Sequence, residues 1–360
     1  MVNTSKIIKI GFASTDWSHS MNDDAGHPVP GGANWVRIQQ NRKHLKYRSV
    51  TGLLVHHPQK GFGIGDWNST SHYDCDIIVL QRLMFNNLAD KIANNPNKNQ
   101  IFINDVDDWY WELHENNQAY ELTHPDFNKT ENIDFYKQII QLGHAVTTST
   151  PYIAEKLKNE FGCKDVHLIE NCVTPLDFRQ RFHRQRKMKV GWVGSTSHRS
   201  GDLEILNGVL GNPLWKLHHS GHNQSAKYFA DKVGVERKLV TLSPMYHPKD
   251  YARLSFEFDC GIAPLNDVPF NRAKSWIKAI EYSASNIPVV MSDMPEYRRL
   301  HEEYGIGFLA STKDDWVNYL TEMTNVTARS EEAKKNRKLV EALNVKVMAK
   351  KWDEILASYL

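Results

Sequence analysis

Apolar residues gather along this chain in short runs separated by longer polar or amphipathic stretches. Residues 6–12, 49–55, 76–80, 100–104, 144–148 and 166–169 read as buried strands of the first half, and residues 190–193, 214–218, 239–242 and 306–309 as those of the second. Helical spacing fills the intervals. A basic segment at 34–46 and apolar-faced segments at 133–142 and 152–161 alternate with the early strands; Thr150 and Pro151 open the last of these and Gly162 closes it. A further helix is expected at 202–210. Two more follow the last strand, the final one carrying Met348, Trp352, Ile355 and Leu356. Strands and helices in alternation build parallel sheets covered on both faces, so the expected class is α/β in two doubly wound halves.

Residues 258–290 read as strand, loop, helix and strand. Ala273, Trp276, Ile277, Ile280 and Ala284 fall on one helical face, and Lys274, Lys278, Glu281 and Ser285 share the other. Asn271, behind Pro269, reads as the N-cap, which sets Arg272 and Lys274 in the first turn beside the positive end of the helix dipole. Free backbone N–H groups with two cations form an anion site, and a diphosphate is a common occupant. The spacing fits equally well two side chains leaning into water, at a cost of about 0.3–1 kcal/mol each.

Phe270-Asn271-Arg272-Ala273-Lys274-Ser275, with Lys278, Glu281-Tyr282 and Ile287-Pro288-Val289-Val290, resembles the donor-binding signature of the two-domain GT-B glycosyltransferases, family 4 in particular. The resemblance implies a GT-B fold of two Rossmann-like doubly wound domains facing a central cleft. Residues 1–180 would form the acceptor-binding domain, 181–340 the nucleotide-sugar-binding domain, and 341–360 a helix crossing back to the first. It also implies that Arg272, Lys274 and Ser275 meet the diphosphate of a nucleotide sugar while Glu281 takes the ribose hydroxyls. Seven residues separate Lys274 from Glu281, about 10 Å at a rise of 1.5 Å per residue, which a diphosphate with its ribose can span. Gly194-Ser195-Thr196, small residues after the strand 190–193, would lie against the same diphosphate. Arg199 approximates the basic residue the family sets behind that loop. Residues 243–251 match the region framing the nucleotide base, with Met245 and Tyr246 as contacts. One departure is Ala273, where the family often carries a glutamate against the donor sugar. Residues 170–178, a strand end followed by Asn-x-Val-x-Pro-x-x-Phe, are similar to the close of the family's first domain.

In the first half, the loop 14–32 ends in Gly31-Gly32. A glycine pair there lets backbone approach a ligand closely, as in the glycine-rich loop of the same family, and it also fits a plain turn. Residues 56–73 are expected as a long loop over an acceptor, with His57 and Asp66 as candidates to act there. The strand 100–104 runs into Asp105-Val106-Asp107-Asp108-Trp109-Tyr110-Trp111. Acids at a strand's carboxyl end lie where open α/β sheets bind ligands. Asp107 and Asp108 are therefore the candidates for the catalytic base that takes the acceptor's proton, and Trp109 or Trp111 for stacking on the acceptor. Helix capping by these acids, and an Asp-x-Asp metal site made by Asp105 and Asp107, are the competing readings.

At 360 residues, two domains are the default. A composition of 41% apolar and 24% charged residues is that of an ordinary globular protein, and a net charge of +2 leaves the choice of partner to local clusters. Two clusters are basic: Arg37, Arg42, Lys43, His44, Lys46 and Arg48 on and behind the helix 34–46, and the segment 179–189, RQRFHRQRKMK. Cys75, Cys163, Cys172 and Cys260 show no metal-ligand spacing and are expected to stay reduced. With no signal-peptide pattern and no membrane-spanning run, the expected location is the cytoplasm. The expected activity is transfer of a hexosyl or pentosyl group from a nucleoside-diphosphate sugar to an acceptor hydroxyl, with no metal and no cofactor. A glycan or lipid-linked sugar is the first acceptor expected; a hydroxymethylated base in duplex DNA, suggested by the basic clusters, is the second. A nucleotide-sugar epimerase and a non-catalytic two-lobed sugar-binding protein are the alternatives on the same fold.

Overall fold

The computed structural model describes residues 8–117, 119–194, 201–221, 225–244, 246, 248–254 and 256–360. It comprises two compact units: residues up to 111, 121–170 and 345–360 form the first, and residues 112–120 and 171–344 the second.

The first unit holds strands β1 (Lys9–Ser14), β2 (Trp17–Asn22), β3 (Pro28–Pro30), β4 (Arg48–His57), β5 (Gly61–Gly65), β6 (Ser71–His72), β7 (Ile77–Gln81), β8 (Ile101–Val106), β9 (Ala145–Thr148) and β10 (Val166–Leu168). Eight of them make one sheet in the order β10-β9-β8-β7-β1-β4-β5-β6, while β2 and β3 pair separately. β1 runs parallel to β4 on one side and to β7 on the other, so the direction of winding reverses between β1 and β7. The alternation in β1 shows why it lies at the centre. Ile10 and Phe12 pack with Trp352, Ile355 and Leu356 of the helix Val345–Ala357, with Phe12 and Trp352 edge to face at 6.1 Å. On the opposite face, a Cβ at Gly11 would come within 2.7 Å of Ile64 Cγ1.

Residues 56–73 are half strand, not the expected long loop. β4 continues through His57 and pairs antiparallel with β5, which pairs with β6. Glycines that gave the segment a loop-like composition are steric requirements of the pairing: a Cβ on Gly63 would sit 2.6 Å from the His72 carbonyl oxygen and one on Gly65 2.9 Å from Val55 Cγ1, and opposite them a Cβ on Gly52 of β4 would sit 2.1 Å from the Gly65 carbonyl oxygen. The basic helix ends early, at Arg42, and includes a π-helical stretch, Trp35–Gln39.

The second unit contributes β11 (Met188–Val193), β12 (Trp215–Ser220), β13 (Val240–Ser243), β14 (Cys260–Ala263), β15 (Val289–Ser292) and β16 (Phe308–Ala310). Their order is β13-β12-β11-β14-β15-β16, all parallel, so the winding reverses between β11 and β14. Trp192, Leu217, Phe229 and Trp316 anchor its core. The single helix expected within 258–290 is broken. A four-residue helix, Pro269–Arg272, precedes a helix Ile277–Ala284, with 273–276 between them. Val268 is the N-cap of the short helix, behind Pro269 at its first position. Asn271 does not cap: its buried side chain donates to Asp202 Oδ1 at 2.6 Å. The expected helix 202–210 is only a 3₁₀ turn, Glu204–Leu206, and a further helix, Pro295–Tyr304, stands between β15 and β16. Three helices follow β16, not two. All four cysteines are free. Among the described residues no helix is long and apolar enough to cross a membrane.

Candidate functional site

Each sheet presents polar groups at the carboxyl end where its winding reverses, the position at which open α/β sheets bind ligands. In the second unit this is the end of β11 beside β14. Gly194 follows β11 with φ of 153°, and a Cβ on Gly221, after β12, would lie 2.8 Å from the Gly194 carbonyl oxygen, so both positions require glycine. The helix Ile277–Ala284 is clamped onto this strand end. Tyr282 Oη accepts from the Val193 N–H at 3.1 Å, Lys278 Nζ donates to the Val193 carbonyl, and the Lys278 ammonium lies 5.2 Å from the centre of the Trp192 indole.

One turn along the same helix, Glu281 accepts a 2.9 Å hydrogen bond from Tyr251 Oη. Burial pushes the Glu281 carboxyl up to about 7, against the opposing charge of Lys278 and the Tyr251 hydrogen bond. His219 lies stacked with Trp192 and Phe229, at 5.2 and 5.1 Å. Burial lowers both His218 and His219 to about 4, which keeps this end of β12 neutral at ordinary pH.

The break at 273–276 changes the placement of the expected diphosphate ligands. Arg272 ends the short helix and is salt-bridged to Asp267 at 2.8 Å; Lys274 lies over the Phe270 ring at 4.2 Å; Ser275 Oγ accepts from Asn171 Nδ2 at 2.7 Å. Neither cation stands in the first turn of the helix that bears Glu281. Ala273 is buried. Tyr246 is half-buried. Ser195, Thr196, Arg199 and Met245 lie outside the described residues.

In the first unit, Ser14 at the end of β1 donates to Gln81 at the end of β7, 2.7 Å apart in a buried contact. Arg82, the next residue, has the left-handed φ of 55°, a strained backbone for a side chain of its size. Its guanidinium holds Asp107 at two contacts of 3.0 Å and Asp108 at 3.1 Å, with Asp16 at 4.0 Å. Burial raises the Asp107 carboxyl, while Arg82 pulls it down and Asp108 and Asp105 push it further up. Asp16 accepts the Asn34 N–H at 2.8 Å through its carboxylate, and its carbonyl accepts the Gly31 N–H at 2.8 Å; a Cβ on Gly31 would strike the Asp16 carboxylate at 2.2 Å. A Cβ at Gly32 would meet nothing within 4 Å. Gly31 and the two candidate acids are therefore joined by Asp16 and Arg82, which sequence reasoning missed. Their only signal was position, directly after the apolar runs of β1 and β7.

Several expected ligands are committed elsewhere. Trp109 is fully buried against Trp111 and Phe161, so it is core. Asp66 forms a turn with Thr70 and pairs with His72 at 3.0 Å, and His57 Nδ1 accepts the Gln59 N–H at 3.1 Å. Asp105 is buried with Arg37 at 2.6 Å, so the first acid of the Asp-x-Asp reading, like the second, has a guanidinium partner. Both basic clusters lose cations in the same way: Arg37 to Asp105, and Arg181 and Arg186 to the buried Asp259 at 2.9 and 3.0 Å.

No family model matches the chain. It is 22% identical over 177 residues to TuaH of Bacillus subtilis (strain 168), named as an inferred teichuronic acid biosynthesis glycosyltransferase; the match covers 46% of this chain and 45% of that protein, less than half its length. Sucrose-phosphate synthase from Thermosynechococcus elongatus superposes with a TM-score of 0.66 at 14% identity, covering 98% of each chain. Anabaena HepE in complex with UDP and glucose gives 0.61 at 14% identity over 98% of this chain and 100% of that one, and the lipopolysaccharide glycosyltransferase WaaG gives 0.52 at 12% over 79% and 78%. The fold is GT-B, as the sequence resemblance implies.

Proposed function

We propose that the chain is a glycosyltransferase that moves a sugar from a nucleoside-diphosphate sugar to an acceptor hydroxyl. The observation that carries this reading is Glu281, with a carboxyl raised to about 7, on a helix bonded to the end of β11 where the second sheet's winding reverses. A ribose offers two hydroxyl donors to such a carboxylate, and binding favours its ionised form. Gly194 leaves room for the diphosphate beside it, and Lys274 supplies charge against the leaving group once it turns from Phe270. In the reaction the bond from the anomeric carbon to the diphosphate oxygen breaks, the acceptor oxygen bonds to that carbon, and a base takes the hydroxyl proton. Asp107, raised by burial and oriented by Arg82, is the base candidate, with Asp108 beside it.

For the acceptor, the name of TuaH and the sugar complex of HepE favour a glycan or lipid-linked sugar. Duplex DNA gains nothing from the structure, because Arg37, Arg181 and Arg186 are spent on internal ion pairs. The test is a panel of UDP-, GDP- and ADP-sugars with glycan and lipid-linked acceptors, read as release of nucleoside diphosphate with formation of the glycoside. Isomerised donor without transfer would make the protein an epimerase. Donor binding without turnover on any acceptor would make it a sugar-binding protein.

A further inference from the structure

A second cationic site lies at the other end of the second sheet. The segment 179–189 folds past the amino ends of β11 and β14, where Asp259, fully buried, accepts from Arg181, Arg186 and the Lys189 N–H. This knot uses two guanidinium groups and fixes the backbone of the segment. It leaves Arg179, Arg184, Lys189 and Arg253 around a cavity of about 280 Å³, floored by Phe256 and flanked by Phe182, which is 78% exposed. Among the described residues none of these four cations is salt-bridged to a carboxylate, and Glu257 is the one acid on the lining. From Lys189 to Gly194 is about 16 Å of strand, so this cavity and the Gly194 turn lie at opposite ends of β11, while the Phe256 ring on its lining is 5.5 Å from that of Tyr251, the partner of Glu281.

We propose that this cavity binds a multiply charged phosphate-bearing ligand, distinct from the sugar donor. Four like charges held around one concavity repel each other, and the buried carboxylate beneath is already saturated by other donors, so the balance is left to an external anion. Guanidinium groups match phosphate oxygens in paired hydrogen bonds. Free phosphate compounds and a phospholipid headgroup share this chemistry.

The test uses the full chain with inorganic pyrophosphate in equilibrium dialysis, and with vesicles of phosphatidylglycerol against phosphatidylcholine in co-sedimentation. The variant R184E/R253E reverses two exposed cations, and K313E/K350E reverses two exposed lysines outside the cavity lining as the control for net charge. Circular dichroism confirms that both variants fold. Loss of a pyrophosphate site by about tenfold or more in R184E/R253E, with the control unchanged, supports a soluble phosphate ligand. Sedimentation with phosphatidylglycerol that R184E/R253E alone abolishes supports the headgroup. Binding of neither probe, or the same change in both variants, or no change in R184E/R253E, overturns the proposal. Pyrophosphate held only at the Gly194 end of the sheet falls under the last of these outcomes.

Discussion

Tyr251 Oη donates to Glu281 Oε2 at 2.9 Å, so the acid proposed to take the ribose hydroxyls already has one hydroxyl donor from the protein. The contact favours the ionised carboxylate and fixes its rotamer before a nucleotide arrives. Glu281→Ala should weaken nucleotide binding by about ten- to a hundredfold while the protein stays folded, since hydrogen bonds to a charged group contribute about 1.5–3 kcal/mol. Tyr251→Phe should weaken it less. Titration calorimetry with UDP, GDP and ADP measures both, and unchanged affinity in Glu281→Ala would remove the donor-site assignment.

The pH dependence has two opposing parts. Glu281 has its folded value raised from 4.5 to about 7, so its contribution to stability is fully present below 4.5 and is lost as pH rises through 7. His218 and His219 are lowered from 6.5 to about 4, so theirs is present above 6.5 and is lost as pH falls through 4. Glu281→Gln should therefore gain about 1–2 kcal/mol over the native chain at alkaline pH and roughly half as much or less in mild acid, allowing for partial solvent screening. Urea denaturation at about pH 5.5 and about pH 8 checks this; equal gains at both would place the carboxyl in an ordinary environment. Because nucleotide binding favours the ionised acid, affinity in the native chain should rise with pH through the same range.

The strand positions were legible because each buried run is apolar and bounded by polar residues; β8, β9 and β11 lie within two residues of expectation. The broken helix was not. Ala273, Trp276, Ile280 and Ala284 are all buried, as one continuous helical face would have them, and nothing in that periodicity reveals that Asn271 bonds Asp202, some seventy positions earlier, in place of capping. The hairpin of β5 and β6 was hidden by glycines whose reason lies in the strand opposite. Arg82, Asp16 and Tyr251 escaped because each acts through a partner remote in sequence, and a lone residue at a strand end or on a short helix carries no pattern of its own.

Gly261 offers a test of how firmly the helix Ile277–Ala284 is seated. A Cβ there would stand 2.3 Å from Tyr282 Cδ2, and Tyr282 is the residue that bonds this helix to β11. Gly261→Ala should cost about 1–3 kcal/mol of stability through overpacking and also weaken nucleotide binding, since Lys278 and Glu281 move with the helix. Gly11→Ala, which would press on Ile64 at 2.7 Å in the first unit, should cost stability alone. Thermal melts with and without nucleotide separate the two; equal nucleotide affinities in both variants would show that the helix position does not govern the site.

Arg82 and Asp107 separate orientation from chemistry in the first unit. Arg82→Leu strands Asp107 and Asp108 without their shared guanidinium, so the expected loss is about 3–5 kcal/mol of stability, partly recovered in acid as the carboxyls protonate. Asp107→Asn keeps the size and most of the polar contacts, and should unfold no earlier than the native chain by more than about 1–2 kcal/mol. If Asp107 takes the acceptor's proton, transfer in Asp107→Asn should fall by about a hundred- to ten-thousandfold with donor affinity unchanged, and the acid limb of the kcat/KM profile should disappear. A purely structural aspartate would lower the amount of folded enzyme and leave that profile as it was. Full transfer activity in Asp107→Asn, paired with loss in Asp108→Asn, would move the base to Asp108; full activity in both would take it out of this cluster.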